Sequence, residues 1–233
     1  MFAKDYRRLA RKNLQSNWML SVGVATIACL LGGLIVGHIF WPVIEPKVRH
    51  YIITDQDPIT YAVTHPGEVI RNFRLSWVLN LVPLILGGVT QLGYAQYLLN
   101  QHDHRGIQFN DLFSNFDRFG AGFCQAFLRN LYVFLWGLLF IVPGIIAGYR
   151  YAMTPFIMAE HPQLTASEAI RASKKMMRGN KWALFCLDFS FFGWALLCAL
   201  TLNIGNLWLN PYRNAAYAAF YRRVSVSDRY NEM

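Results

Sequence analysis

Charged residues are scarce in this sequence. They make up 15% of its 233 residues, whereas an average soluble domain carries roughly 25%. The deficit is concentrated in long apolar blocks that are separated by short polar stretches, and 55% of all residues are hydrophobic. Because a soluble protein with a large core spreads its charges more evenly, this pattern predicts membrane-spanning segments.

Acidic residues are also few, 13 against 22 basic ones, which gives a formal net charge of +9. Nucleic-acid-binding proteins show such an excess, and so do membrane proteins with basic cytoplasmic loops. Here the basic residues flank the apolar blocks, so we expect a lipid bilayer as partner and no nucleic acid. Those that we expect to contact anionic lipids are Arg7, Arg8, Arg11, Lys12, Lys174, Lys175 and Arg178.

Motifs of catalysis and metal binding are missing. The four cysteines lie inside apolar blocks without C-x-x-C spacing, which argues against a disulfide framework or a zinc site. His102, Asp103 and His104 could begin a metal site, but no further ligand type follows nearby, so we expect a polar turn. The sequence has no H-E-x-x-H, Gly-rich phosphate loop or G-x-S-x-G. We therefore predict no enzyme, no metal and no cofactor.

The apolar blocks predict an all-α, polytopic membrane protein with a single integral membrane domain over residues 1–233. The basic N-terminal region is too long for a cleavable signal peptide, so we expect the first block to be retained as a span. Pro143-Gly144 is predicted to form the turn between the third and fourth spans. The six predicted spans cover about 19–40, 75–99, 122–142, 145–159, 182–203 and 206–222.

Three amphipathic segments alternate with these spans, and we expect them to lie on the membrane surface as helices over 2–15, 109–119 and 165–178. In the third, Thr165 and Glu168 match a capping box, and Gly179 follows the helix end. A polar connection over 43–66 joins the first two spans. Similar junctions before the apolar blocks predict three hairpins of one plan.

Orientation follows from the basic clusters. With six crossings, the clusters at the N-terminus, between spans four and five, and at the C-terminus all lie on one side. The positive-inside rule then predicts a multi-pass membrane protein with both termini in the cytoplasm. Spans four and six are short, so either is a candidate for a re-entrant helix.

Four charged residues fall inside predicted spans, namely Arg129, Arg150, Asp188 and Arg213. Intramembrane charges are costly, which makes these residues candidates for ligand binding. Arg129 and Asp188 lie about two helical turns from the cytoplasmic ends of their spans, so we expect them to pair. Arg150 and Arg213 are predicted near the outer ends, where they would bind lipid phosphates or extend to the interface.

Several motifs of the second half resemble the domain-of-unknown-function-975 family of bacterial integral membrane proteins. The matching stretches run from Trp136 to Ile146, from Thr165 to Ser173, from Phe185 to Trp194, and around Pro211-Tyr212. The resemblance covers about Phe109 to Tyr221 and implies a membrane protein without an established activity. Asp188 stands where the family more usually has an apolar residue.

These observations favour a non-enzymatic scaffold or accessory subunit of a membrane complex, with a membrane protein as a further partner. The alternative is a small transporter or lipid-handling protein whose path or site includes the intramembrane charges. A lipid-sized cavity beside those charges would favour the alternative.

Overall fold

The structure is a computed structural model that describes residues 3–15, 17–32, 85–200 and 205–232. Every regular element in this part of the chain is helical, as the composition predicts. The end of predicted span one, the connection 43–66, the start of span two and residues 201–204 lie outside the described residues.

Ten α-helices occur in the described part, and two short 3₁₀ helices, Phe109–Phe113 and Phe116–Arg118, join the third to the fourth. The α-helices are α1 (Ala3–Leu14), α2 (Trp18–Leu30), α3 (85–102), α4 (Phe119–Leu139), α5 (Ile141–Arg150), α6 (Thr154–Glu160), α7 (Ala166–Met176), α8 (Lys181–Phe189), α9 (Phe192–Leu200) and α10 (Asn206–Glu232).

Three helices, α3, α6 and α10, form the centre of the bundle. Their middle turns are buried on nearly every side, and Tyr94, Phe156 and Phe220 are fully buried. A helix buried all round has to be enclosed by other elements. Here α1 and α2 pack against α10, and α7 packs against α6 and α4.

The N-terminal helix α1, Ala3–Leu14, agrees closely with the predicted range 2–15. It was expected to lie on the membrane surface, but it packs against α10 in the bundle. Its apolar face, with Tyr6 and Leu14, is buried against α10. The guanidinium of Arg7 donates to the carbonyl oxygen of Ser190 at 3.3 Å, and the Tyr212 hydroxyl donates to the carbonyl oxygen of Arg7 at 3.2 Å. The basic face of α1 remains on the outside of the protein.

The turn of the second hairpin lies three residues before the predicted Pro143-Gly144. Helix α4 ends at Leu139, Phe140 has extended backbone angles, and α5 begins at Ile141. Pro143 is therefore in the first turn of α5, where a missing N–H costs no helical hydrogen bond. Gly144 allows α5 to approach α4 closely, since an added Cβ would lie 2.7 Å from the Cα of Gly137.

Two predicted spans are each divided into two helices. Predicted span four, 145–159, consists of α5 and α6, separated at residues 151–153 before Thr154-Pro155. The described part of predicted span five, residues 182–200, lies in α8 and α9, which are separated at Ser190 and Phe191. The hydroxyl of Ser190 donates to the carbonyl oxygen of Leu187 at 2.6 Å. Serine competes in this way with the backbone donors that would continue a helix.

The predicted surface helix 109–119 is instead the pair of 3₁₀ helices followed by the start of α4. Its polar residues hydrogen-bond to the nearby backbone. Asp111 accepts from the Gln108 N–H at 3.2 Å, and the Ser114 hydroxyl donates to the Asp111 carbonyl oxygen at 2.7 Å. These local bonds replace the i to i−4 pattern that a continuous α-helix needs.

Pro211 does not interrupt the last helix, although a proline usually breaks or kinks a helix interior. It lies inside α10, which continues to Glu232, beyond the predicted end of the sixth span at residue 222. A proline within a helix removes one backbone donor. The side-chain amide of Asn214 donates to the carbonyl oxygen of Asn210 at 3.0 Å, which adds a hydrogen bond beside this site.

The capping box of α7 has the predicted geometry. The Thr165 hydroxyl accepts from the backbone N–H of Glu168, and the Glu168 carboxylate accepts from the backbone N–H of Thr165 at 2.8 Å. Gly179 follows the helix with a φ of +86°, a conformation that favours glycine. The basic residues of this helix face outward.

One stretch of the described chain, Lys181–Cys198, has the length and apolar composition of a membrane span, and Trp18–Leu30 is a shorter apolar helix. Only 22% of the first stretch is buried inside the fold, whereas the core helix of a soluble protein would be mostly buried. Large apolar side chains are also exposed on α4, on α5 and in the turn between them, including Phe134, Leu138 and Phe140. Exposed apolar patches of this extent mark a surface that contacts lipid or another protein.

Glycines allow α3 to contact its neighbours at backbone distance. A Cβ at Gly93 would overlap the carbonyl oxygen of Leu112, and one at Gly88 would overlap the backbone of Gly122. Small residues at such contacts are typical of helix packing in membranes, where van der Waals contact is a main source of stability.

We predict that Gly93→Ala destabilises the protein by at least about 2 kcal/mol, because the added methyl group forces α3 away from Leu112. The matched control is Gly148→Ala in α5, where nothing lies within 4 Å of the added Cβ. Alanine is favoured over glycine inside a helix by about 0.5–1 kcal/mol, so this control should be neutral or stabilising. Unfolding in detergent micelles measures both; equal stabilities would contradict the close contact.

Candidate functional site

The most prominent polar group inside the bundle is the Asp188 cluster, which consists of Asp188, Arg213, Tyr149, Tyr217 and Tyr94. The Tyr217 hydroxyl donates to Oδ1 of Asp188, and the Tyr149 hydroxyl faces the same carboxylate. The guanidinium of Arg213 interacts electrostatically with Asp188 and with both Tyr94 and Tyr149. The cluster joins α3, α5, α8 and α10.

The predicted pairing of Arg129 with Asp188 is wrong, because Arg213 lies at the carboxylate instead. No interaction joins Arg129 and Asp188 in the described part of the chain. The depth of a residue along its span does not determine which helix faces meet, and Asp188 faces α10 rather than α4.

Arg129 lies elsewhere in the interior, one helical turn from Gln125 on the same face of α4. The two side chains are 7% and 0% exposed. Both polar atoms of the Gln125 amide and Nε of Arg129 have no hydrogen-bond partner in the described structure. Buried polar groups without partners are rare, so these two residues are the least satisfied polar pair of α4.

Arg150 is half-buried at the end of α5. Its carbonyl oxygen accepts a hydrogen bond from the Ser173 hydroxyl at 3.0 Å, which fixes α7 to α5. Of the four candidate residues, the structure therefore brings together Asp188 and Arg213 and leaves Arg129 and Arg150 apart from them.

A second polar group, the Arg222 clasp, was not predicted from the sequence. The guanidinium of Arg222 donates to Oε1 of Glu160 at 2.7 Å and to Oδ2 of Asp103 at 2.5 Å. The Tyr221 hydroxyl donates to the other oxygen of Glu160 at 2.5 Å. The clasp thus joins the C-terminal ends of α3 and α6 to α10. Its residues are far apart in sequence, so no local motif indicates it.

Charges in the clasp are matched. Burial alone raises the pKa of Glu160, but the hydrogen bond from Tyr221 and the charge of Arg222 together lower it. Burial lowers the pKa of His102, and Asp103 offsets this only in part. At neutral pH, His102 is therefore uncharged, and two arginines face the two carboxylates. Arg222 contacts both, and the guanidinium of Arg105 lies 3.7 Å from Oδ2 of Asp103.

The predicted polar turn after α3 also belongs to this end of the bundle. Nδ1 of His102 lies 3.4 Å from Asp103, and His104 has a φ of 53° at the helix end. Among the described residues, no three histidine, cysteine or acidic side chains are grouped so that they could hold a metal ion.

An apolar cavity of about 370 Å³ lies between the N-terminal segment and the third hairpin. Arg11 and Trp18 form one wall, and Trp194, Leu197 and Trp208 are among the residues of the other. Its lining residues do not include the four intramembrane charges, beside which a lipid-sized cavity would favour a transporter or lipid-handling protein. We call it the Arg11 cavity.

The fold and these sites define an all-helical protein that buries charged side chains and exposes large apolar ones. Residues 138–228 match the family described as "Protein of unknown function (DUF975)". The matched region overlaps the stretch, about Phe109 to Tyr221, whose motifs resemble that family. No curated protein matches the chain, and no solved structure does.

We predict that Asp188 and Arg213 are energetically coupled. Asp188→Asn and Arg213→Met should each destabilise the protein, because each leaves one charge without its counter-charge. The double variant should be more stable than the sum of the two losses implies, by about 1–2 kcal/mol. Unfolding in detergent micelles measures this coupling.

The matched control pairs Asp188→Asn with Arg129→Met. Because Arg129 does not interact with Asp188 in the described structure, these two changes should be additive. Coupling to Arg129 together with additivity at Arg213 would contradict the arrangement of the cluster.

Proposed function

We propose that this chain is a multi-pass integral membrane protein of the bacterial cell membrane, with both termini in the cytoplasm, that acts without catalysis as a scaffold or accessory subunit of a membrane complex. The observation that carries the membrane assignment is the inverted polarity of the fold. Trp182, Phe134 and Leu138 are exposed while Arg129 and the Asp188 cluster lie inside. Such a surface is stable in lipid and would be costly in water.

The proposed topology is supported by the Arg222 clasp. In the six-span arrangement, spans two, four and six all end on the cytoplasmic side. The clasp contacts the ends of these three segments through Asp103, Glu160 and Arg222. Arg118, which precedes the third span, also donates to the carbonyl oxygen of Met158 at 3.4 Å, near the end of the fourth.

A scaffold role is supported by the way the internal charges are used. Asp188 accepts from Tyr217 and lies beside Arg213, and Glu160 accepts from Tyr221 and Arg222. These carboxylates therefore stabilise contacts between helices, and their hydrogen-bonding capacity is largely occupied by the protein. The exposed apolar faces of α4, α5 and α9 offer area for contact with a neighbouring membrane protein.

The second candidate function is lipid binding or lipid handling. It is favoured by one observation, the Arg11 cavity, whose volume of about 370 Å³ is within the range of small-molecule sites. Apart from Arg7, which packs against Ser190, the basic residues that we expected to contact anionic lipids are exposed on α1 and on or just after α7.

We predict that residues 140 and 174 lie on opposite sides of the membrane. In a background with the four native cysteines replaced by alanine, a membrane-impermeant maleimide added to spheroplasts should label Phe140→Cys and not Lys174→Cys. Phe140 is preferable to Gly144 for this test, since Gly144 packs against Gly137. Permeabilised cells should label both positions. Labelling of both before permeabilisation, or of neither, would overturn the six-span topology.

The scaffold role predicts a stoichiometric protein partner. The tagged chain, purified in mild detergent, should retain one partner at a fixed mass ratio, as intact-complex mass measurement would show. The Gly148→Ala variant should retain it, and the destabilised Gly93→Ala variant should retain less of it. Repeated recovery of the well-folded chain alone would count against a scaffold and favour the lipid-binding candidate.

A further inference from the structure

We propose that the Arg11 cavity binds one anionic phospholipid, with an acyl chain inside the cavity and the phosphate of its head group at the guanidinium of Arg11. This inference rests on the membrane location proposed above and adds a defined site and ligand class to it. The apolar lining of the cavity, its single charged residue and the fold around its mouth support this site.

The cavity wall is apolar apart from one cation. Leu197, Cys198 and Leu209 line it together with tryptophan side chains, and Arg11 is the charged residue among those that form it. An apolar space with one positive group at its edge matches a molecule with a long hydrocarbon part and one negative group. A neutral apolar ligand would leave the role of Arg11 without explanation.

Arg11 is exposed and carries no ion pair with any acidic side chain in the described part of the chain. Its helix is held in place independently, because Arg7 donates to the carbonyl of Ser190 and Tyr212 donates to the carbonyl of Arg7. The guanidinium is therefore positioned at the cavity and still available to a phosphate, which it recognises with paired N–H donors.

Three tryptophans, Trp18, Trp194 and Trp208, surround the same space. Their large aromatic rings supply apolar contact area for a hydrocarbon chain. Trp194 and Trp208 are about half exposed, so the cavity is open on the side from which a lipid of the bilayer would enter. This openness favours a bilayer lipid over a free phosphate compound.

The test measures lipid bound to the purified full-length chain by native mass spectrometry. Detergent-solubilised protein is mixed with phosphatidylglycerol or with phosphatidylcholine, and a third sample receives glycerol phosphate, which has the charge without acyl chains. We expect one phosphatidylglycerol per chain, weaker retention of phosphatidylcholine, and no retention of glycerol phosphate.

Two variants address the two halves of the site. Arg11→Gln should weaken phosphatidylglycerol binding about tenfold, because a charge-assisted contact is lost. Its matched control is Arg8→Gln, which removes the same charge from the outer face of α1 but not from the cavity. Leu197→Trp should fill the cavity, and its control is Leu196→Trp, an adjacent residue of similar exposure that does not line it.

Equal loss of lipid in Arg11→Gln and Arg8→Gln would overturn the proposal and show only diffuse attraction to a basic surface. Unchanged binding in Leu197→Trp would also overturn it, since the acyl chain would then lie elsewhere. Unfolding temperatures of all four variants should match the wild type, because each position is exposed. The purification of a partner protein tests the scaffold role separately. The scaffold role and the lipid site at Arg11 can therefore each fail without the other.

Discussion

Polar side chains of α10 fix the positions of its neighbours, and the arrangement of the bundle depends on them. Tyr217 donates to Asp188 on α8, and Arg222 bridges Asp103 after α3 and Glu160 on α6. In a lipid environment, apolar burial hardly distinguishes one helix arrangement from another, because lipid tails are as apolar as leucine. Directional hydrogen bonds between charged groups then select which helix faces meet α10.

Close backbone contacts complement these polar contacts. Gly88 and Gly93 allow α3 to lie against Gly122 and Leu112, so that α3 is held on one side by van der Waals contact and on the other by the clasp at its C-terminal end. Both kinds of contact need an enclosed central helix. This explains why α3, α6 and α10 are buried all round while apolar side chains of α4, α5 and α9 remain outside.

Much of the local structure could be predicted from the sequence because its causes are local. The capping box of Thr165 and Glu168 and the positive φ of Gly179 depend on residues within a few positions, and both occur as predicted. The turn at Phe140 and the continuation of α10 through Pro211 were not predicted. A proline permits either a helix start or a helix interior, and tertiary packing decides between them.

The candidate site was predictable in its residues but not in its pairing. Asp188 and Arg213 stand out in any apolar sequence because their charges are costly there. The cation that pairs with Asp188 is determined by the face of α8 that turns toward α10. The hydrophobic periodicity of one helix does not show which neighbouring helix that face will contact. The Arg222 clasp was not predicted for a related reason. Asp103, Glu160 and Arg222 lie at the ends of apolar segments, where charged residues are expected in any membrane protein.

The distribution of satisfied and unsatisfied charges separates structural roles from binding roles. Asp188 and Glu160 accept hydrogen bonds from the protein itself, so a ligand there would have to displace existing contacts at considerable cost. Arg129 is buried and incompletely bonded, but it lies in the interior with 7% exposure. Arg11 alone among these residues combines an exposed charge with an adjacent cavity. The interaction of this protein with lipid is therefore best sought at its N-terminal helix, away from the intramembrane charges that the sequence first brings to attention.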